Sequence, residues 1–97
     1  MPIDLFIYSL RQLQEPRGDL EDDLDDFLSG AGEVTGGGGG EVGWNIDLQL
    51  EDSADVEDLT HRLVLFLRDR KVPEDTHFVV ITDQSGPRRV EVFASQN

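Results

Sequence analysis

The clearest pattern in the chain is a strict alternation of apolar and polar residues from Trp44 to Glu51. Because side chains on a β-strand point alternately to opposite faces, this segment is predicted to be a strand with one buried face. The other face carries Asn45, Asp47 and Gln49. We therefore expect the sheet to be open to water on that side, at least locally.

Three further segments are short and rich in β-branched and aromatic residues, as strands commonly are. Ile3 to Leu10 is apolar on both faces, which predicts a central strand. The segments 77–82 and 89–94 are separated by turn-forming residues, so they are predicted to pair as a hairpin.

Two segments follow the spacing of an amphipathic helix. The first runs from Asp19 to Leu28, with Asp19 as its expected N-cap. The second is predicted to begin near Ser53 or Asp55 and to end before Pro73, which cannot continue a helix. Basic residues crowd its C-terminal half, where the helix dipole favours positive charge.

The segment from Glu33 to Gly43 contains five consecutive glycines, Gly36–Gly40, and is predicted to be a flexible loop. A phosphate-binding loop is not expected, because the glycines lead into a strand and Glu33 and Glu41 flank them. The predicted order is β-α-β-α-β-β. It describes one domain over residues 1–97, an α/β two-layer sandwich with two helices on one face of a four-stranded sheet.

Charge narrows the range of partners. The 97 residues include 21 Asp and Glu but only 8 Lys and Arg, a net charge of −13. Residues 1–52 hold 13 of the acids and 2 of the bases. Such a field repels nucleic acid and favours a basic protein. With no cysteine, no signal peptide and no apolar stretch of membrane-spanning length, a soluble cytoplasmic protein is expected.

Residues that could carry chemistry are few. The acidic run 19–26 does not match a calcium loop, since Leu24 and Gly30 stand where a glycine and a glutamate are required. The two histidines, His61 and His77, have no second ligand at zinc spacing. No nucleophile motif is present. The sequence therefore predicts no metal, no cofactor and no catalytic activity.

Seven residues are candidates for contact with a protein partner. The acids come from the first helix and the glycine-rich segment. Trp44, the only tryptophan, would either pack in the core or anchor a partner. The candidates are Asp22, Asp23, Asp25, Asp26, Glu33, Glu41 and Trp44.

In its size, acidity and cysteine-free α/β layout, with an acidic helix at 19–28 followed by a loop and Gly43-Trp44, the chain resembles small acidic bacterial immunity proteins. These cytoplasmic inhibitors protect a cell from its own secreted toxin. The barstar-like ones present an acidic helix and a nearby loop to a basic nuclease. The resemblance implies an inhibitor of a basic enzyme or toxin, and no functional residue is transferred from it.

Three hypotheses follow. The first is a non-catalytic protein-binding domain, most concretely an inhibitor or immunity protein for a basic enzyme, with opposite charges accelerating encounter. The second is a structural or assembly subunit that pairs through the open sheet face or a strand edge, with another copy or with a different protein. The third is a small enzyme that uses carboxylates and a histidine. The sequence leaves the oligomeric state open.

Overall fold

A computed structural model describes residues 3–13, 16–40, 43–51, 55–82 and 86–93 of the chain. Its elements are β1 (Ile3–Ser9), α1 (Arg17–Leu28), β2 (Gly32–Gly40), β3 (Gly43–Leu50), α2 (Val56–Asp69), β4 (His77–Ile81) and β5 (Arg88–Glu91). The strands form one antiparallel sheet in the order β2-β3-β1-β4-β5. The α/β class and the central position of β1 are as predicted.

A single apolar core fills the space between the sheet and the two helices. Alternate residues of β1, β3 and β4 point into it, and each helix adds residues from one stripe. The rings of Phe27 on α1 and Phe66 on α2 lie 4.9 Å apart and join the helices. Because both helices pack on the same side, the opposite face of the sheet is uncovered, as the alternation in β3 predicted.

The prediction that Asp19 caps the first helix is wrong. Pro16 holds the N-cap position, and the amides of Asp19 and Leu20 donate to its carbonyl at 3.1 and 3.4 Å. Proline suits this place because its fixed φ already lies near the helical value. At α2, Asp55 is the N-cap, since its carboxylate accepts from the Asp58 amide at 3.1 Å. Ser53, the alternative, lies outside the described residues.

The prediction of a loop between Glu33 and Gly43 is also wrong. Residues 32–40 form β2, which pairs antiparallel with β3 and makes the sheet five-stranded rather than four-stranded. Glycine has a low strand propensity and no side chain to show a two-residue period, so the local pattern gave no strand signal. Backbone pairing with β3 and close packing under α1 stabilise β2 as a strand despite its low strand propensity.

The hairpin of β4 and β5 is confirmed, with Val79 opposite Arg89, although β5 ends at Glu91 rather than at residue 94. The predicted turn at 83–85 and the residues after 93 lie outside the described ranges. Within those ranges, no helix combines the length and the hydropathy that a bilayer crossing requires.

Candidate protein-binding surfaces

The acids on the flanks of α1 are used inside the fold. Glu21 pairs with Arg17 one turn earlier, with 3.2 Å between Oε2 and Nε. Asp23 forms an ion pair with Arg70 of α2. Asp25 accepts a hydrogen bond of 2.8 Å from the backbone amide of Val34 in β2. The contacts of Asp23 and Asp25 hold α1 against α2 and β2.

The outward side of α1 carries a second set of acids, spaced three and four residues apart. We call this set the outer row; it consists of Asp19, Asp22 and Asp26, all exposed. In the described part of the chain, no basic side chain forms an ion pair with any of the three. The ion pairs of the described arginines are Arg17–Glu21, Arg62–Asp58, Arg70–Asp23, Arg88–Glu57 and Arg89–Glu91. The outer row therefore keeps its charge uncompensated.

The structure does not bring the seven predicted contact residues onto one surface. Asp22 and Asp26 share the outer row, whereas Asp23 and Asp25 point to α2 and β2. Glu33 is exposed on β2, opposite Gln49, on the uncovered side of the sheet. Trp44 is only 7% exposed and belongs to the core. Glu41 lies outside the described residues.

The uncovered face of the sheet carries aromatic side chains that the sequence analysis did not select. The rings of Phe6 and Tyr8 on β1 lie 6.5 Å apart, and Tyr8 stacks on His77 of β4 at 5.5 Å. Tyr8 is 38% exposed. The available signal was the apolar content of both faces of β1 and β4, which for β1 was interpreted as a central strand and not as a face without a second layer.

A groove of about 700 Å³ opens beside this patch, where β1 ends and β3 begins. Its lining includes Tyr8, His77, Asn45, Trp44, Gly38 and Gly39. The neighbouring Leu10, also in the lining, is 78% exposed. The indole N–H of Trp44 is buried and has no hydrogen-bond partner among the described residues. The walls of the groove are mainly apolar.

Asp75 holds the end of β1 beside the groove. Its Oδ1 accepts a hydrogen bond of 2.5 Å from the Ser9 hydroxyl, and its Oδ2 accepts one of 2.7 Å from the Leu10 amide. Burial acts to raise the pKa of Asp75, but these hydrogen bonds and the Arg11 charge outweigh it and lower the pKa. The Ser9 hydroxyl also hydrogen-bonds with the Arg11 backbone, so this arrangement fixes the end of β1.

Strand β2 forms one edge of the sheet. Its backbone N–H and C=O groups point alternately towards β3 and away from the sheet. The amide of Glu51 donates to Ala31 at 2.8 Å, so odd-numbered residues of β3 point their backbone groups towards β2. Gly36 and Gly38, which lie opposite Asp47 and Asn45, therefore bond to β3. The N–H and C=O groups of Gly37 and Gly39 point outward.

The glycines of β2 differ in how much space a side chain would have at each position. A Cβ at Gly37 would lie 2.7 Å from Glu21 Oε2 and 2.8 Å from the Asn45 carbonyl oxygen. One at Gly39 would lie 2.7 Å from the Arg17 guanidinium. On the uncovered face, Cβ atoms at Gly36 and Gly38 would lie 3.7 and 3.4 Å from the nearest side-chain atoms. Close packing against the Asn45 backbone thus requires glycine at 37, whereas at 39 the close neighbour is the end of the flexible Arg17 side chain. Positions 36 and 38 have room for a Cβ.

No protein-family description, curated protein or solved structure matches the chain. In the described residues, no group of three or more histidine, aspartate or glutamate side chains is arranged to hold a metal ion. Four features of the molecule remain as candidates for function: the outer row, the uncovered face, the groove and the edge of β2.

Proposed function

We propose that this chain is a non-catalytic protein-binding domain that binds a basic protein and acts as an inhibitor or immunity protein for a basic enzyme or toxin. The observation that supports it is the outer row, exposed and unpaired on a chain with a net charge of −13. Each described ion pair leaves the net charge unchanged, so the field around the molecule stays negative.

The two parts of such a surface have different tasks. The outer row steers a positively charged partner and can raise the association rate to about 10⁸–10⁹ M⁻¹s⁻¹ at low salt. The affinity comes from apolar side chains of the partner that become buried against the groove and the exposed Leu10. Arg17, at the start of α1, reaches the groove residue Gly39, so the helix begins beside the groove.

Charge reversal of the outer row tests this function. The double variant Asp22→Lys/Asp26→Lys is compared with a control of equal charge change, Asp69→Lys/Glu74→Lys, whose exposed side chains belong to the end of α2 and the segment after it. Wild type and control immobilised on beads are expected to capture strongly basic proteins and to inhibit a captured enzyme. The outer-row variant should lose both effects. Equal capture by all three proteins would contradict the proposal.

The uncovered aromatic face favours a second candidate, a structural or assembly subunit. Two copies of a chain with a charge of −13 repel each other, so self-association through this face should grow as salt screens the charges. Binding to a basic partner should weaken under the same change. Light scattering over a range of protein and salt concentrations separates the two, and a monomer throughout would remove self-assembly.

A further inference from the structure

The edge of β2 indicates how a basic partner would bind. Building on the proposed function, we infer that β2 accepts an extended basic segment of the partner protein as a sixth strand of the sheet. Strand addition supplies affinity through main-chain hydrogen bonds and specificity through alternate side chains. Backbone geometry, the bare face of the glycine strand and the charge around it support this arrangement.

The backbone of the glycine run is open to pairing. Gly37 and Gly39 point their N–H and C=O groups outward, and no described side chain hydrogen-bonds to them. At Val34 the outward amide is already occupied by the carboxylate of Asp25, which takes the place of a neighbouring strand's carbonyl. An added strand would therefore pair along the glycines and stop before Val34.

The glycine run has no side chains on the uncovered face, although packing within the fold does not require this. Gly36 and Gly38 have room for a Cβ on that face, and glycine within a strand is less favourable than alanine. With no side chains in the way, large side chains of an added strand can lie across these positions. From there they reach Asn45 and the groove next to Tyr8.

Charge identifies the occupant as a basic segment and disfavours a second copy of this chain. Asp47 lies on the uncovered side beside Gly36, whereas on the helix side Glu21 is already paired with Arg17, whose guanidinium lies beside Gly39. On the uncovered side, cationic residues of an added strand would face Asp47, and an apolar residue between them would reach the groove.

The probe for this inference is a short amidated peptide in which lysine alternates with valine and phenylalanine stands at the centre. Its control is the same peptide N-methylated at alternate residues on the side that would face β2. N-methylation removes the edge-facing donors and leaves the charge unchanged. Trp44 fluorescence reports binding, and the amide signals of Gly37 and Gly39 report the location.

We expect the unmodified peptide to bind at least about tenfold more tightly than the methylated one and to shift the two glycine amides. The variant Gly38→Leu, which places a side chain on the bare face, should weaken binding about tenfold as well. Gly18→Leu is the control, because a Cβ at Gly18 has no neighbour within 4 Å. Thermal unfolding checks that both variants fold, and the peptide comparison is decisive without them.

The outcomes separate this inference from the proposed function. Equal binding of the two peptides would overturn strand addition and leave the basic-partner function standing. Failure of both peptides to bind, while basic proteins are still captured by wild type, would also overturn it. Failure of peptides and proteins alike would overturn the function together with the inference.

Discussion

Strands β2 and β5 form the two edges of the same sheet, yet they are built in opposite ways. Strand β5 has four residues, three of them charged, namely Arg88, Arg89 and Glu91. Strand β2 has nine residues, and its last five are glycine. Edges of natural sheets are usually protected by short length and charged side chains, because exposed backbone invites pairing with another chain.

The two edges also differ in the side chains that flank them. On β5, Arg88 reaches Glu57 of α2 at 2.8 Å, and Arg89 pairs with Glu91 along the strand. An approaching strand would have to displace these side chains. On β2, Asp25 occupies one amide near the start, and the glycines beyond it present only backbone.

The largest expected effect concerns the two sides of β2. Gly37→Val should lower the free energy of unfolding by about 2–3 kcal/mol, because its side chain would collide with Glu21 and with the Asn45 carbonyl. Gly36→Val, on the uncovered side, should raise it by about 0.5–1 kcal/mol through better strand propensity. Chemical denaturation measures both. Equal effects of the two substitutions would contradict the assigned faces of β2.

A smaller effect is expected at the one protected amide of β2. Asp25→Ala should lower the free energy of unfolding by about 1 kcal/mol and speed hydrogen exchange at the Val34 amide. Asp25→Asn keeps an acceptor oxygen and should lose less. If the asparagine variant were as unstable as the alanine variant, the charge and not the hydrogen bond would hold β2 to α1.

The smallest effect concerns the charged protection of β5. The hydrogen bond from Arg89 lowers the pKa of the Glu91 carboxyl, against a small opposing effect of burial. Because the folded pKa lies below the unfolded one, the pair's stabilisation is complete above the unfolded value and is lost as pH falls through the folded one. Carboxyl NMR titration should give Glu91 a lower midpoint than in Arg89→Gln. An unchanged midpoint would show that Arg89 does not hold Glu91.

Most of the fold could be predicted because side chains repeat with the period of their element. Strand β3 and both helices carried that period, and the double-faced apolar content of β1 placed it at the centre. Strand β2 could not be found in this way, because five glycines have no period. Its place depends on pairing with β3 and on the fit of Gly37 under Glu21, and both are contacts between distant parts of the chain.

The candidate surface could be predicted only in part. The acidity of α1 was evident from the sequence, but the direction of each carboxylate depends on partners in other elements. Arg70 forms an ion pair with Asp23, and the Val34 amide donates a hydrogen bond to Asp25. The patch of Tyr8 and His77 joins residues of two strands, so no local pattern could have shown it.

Because Gly36–Gly40 are identical, side chains within this run cannot set the register of β2 against β3. Within Gly36–Gly40, sliding by two positions would restore an equivalent set of backbone bonds and exchange one glycine for another. The position of the strand must therefore be fixed outside the run, by Val34 and the irregularity at Thr35 on one side and by Gly43, with φ of +150°, on the other. A natural variant with two fewer glycines would be expected to keep the five-stranded sheet and to have a shorter edge strand β2.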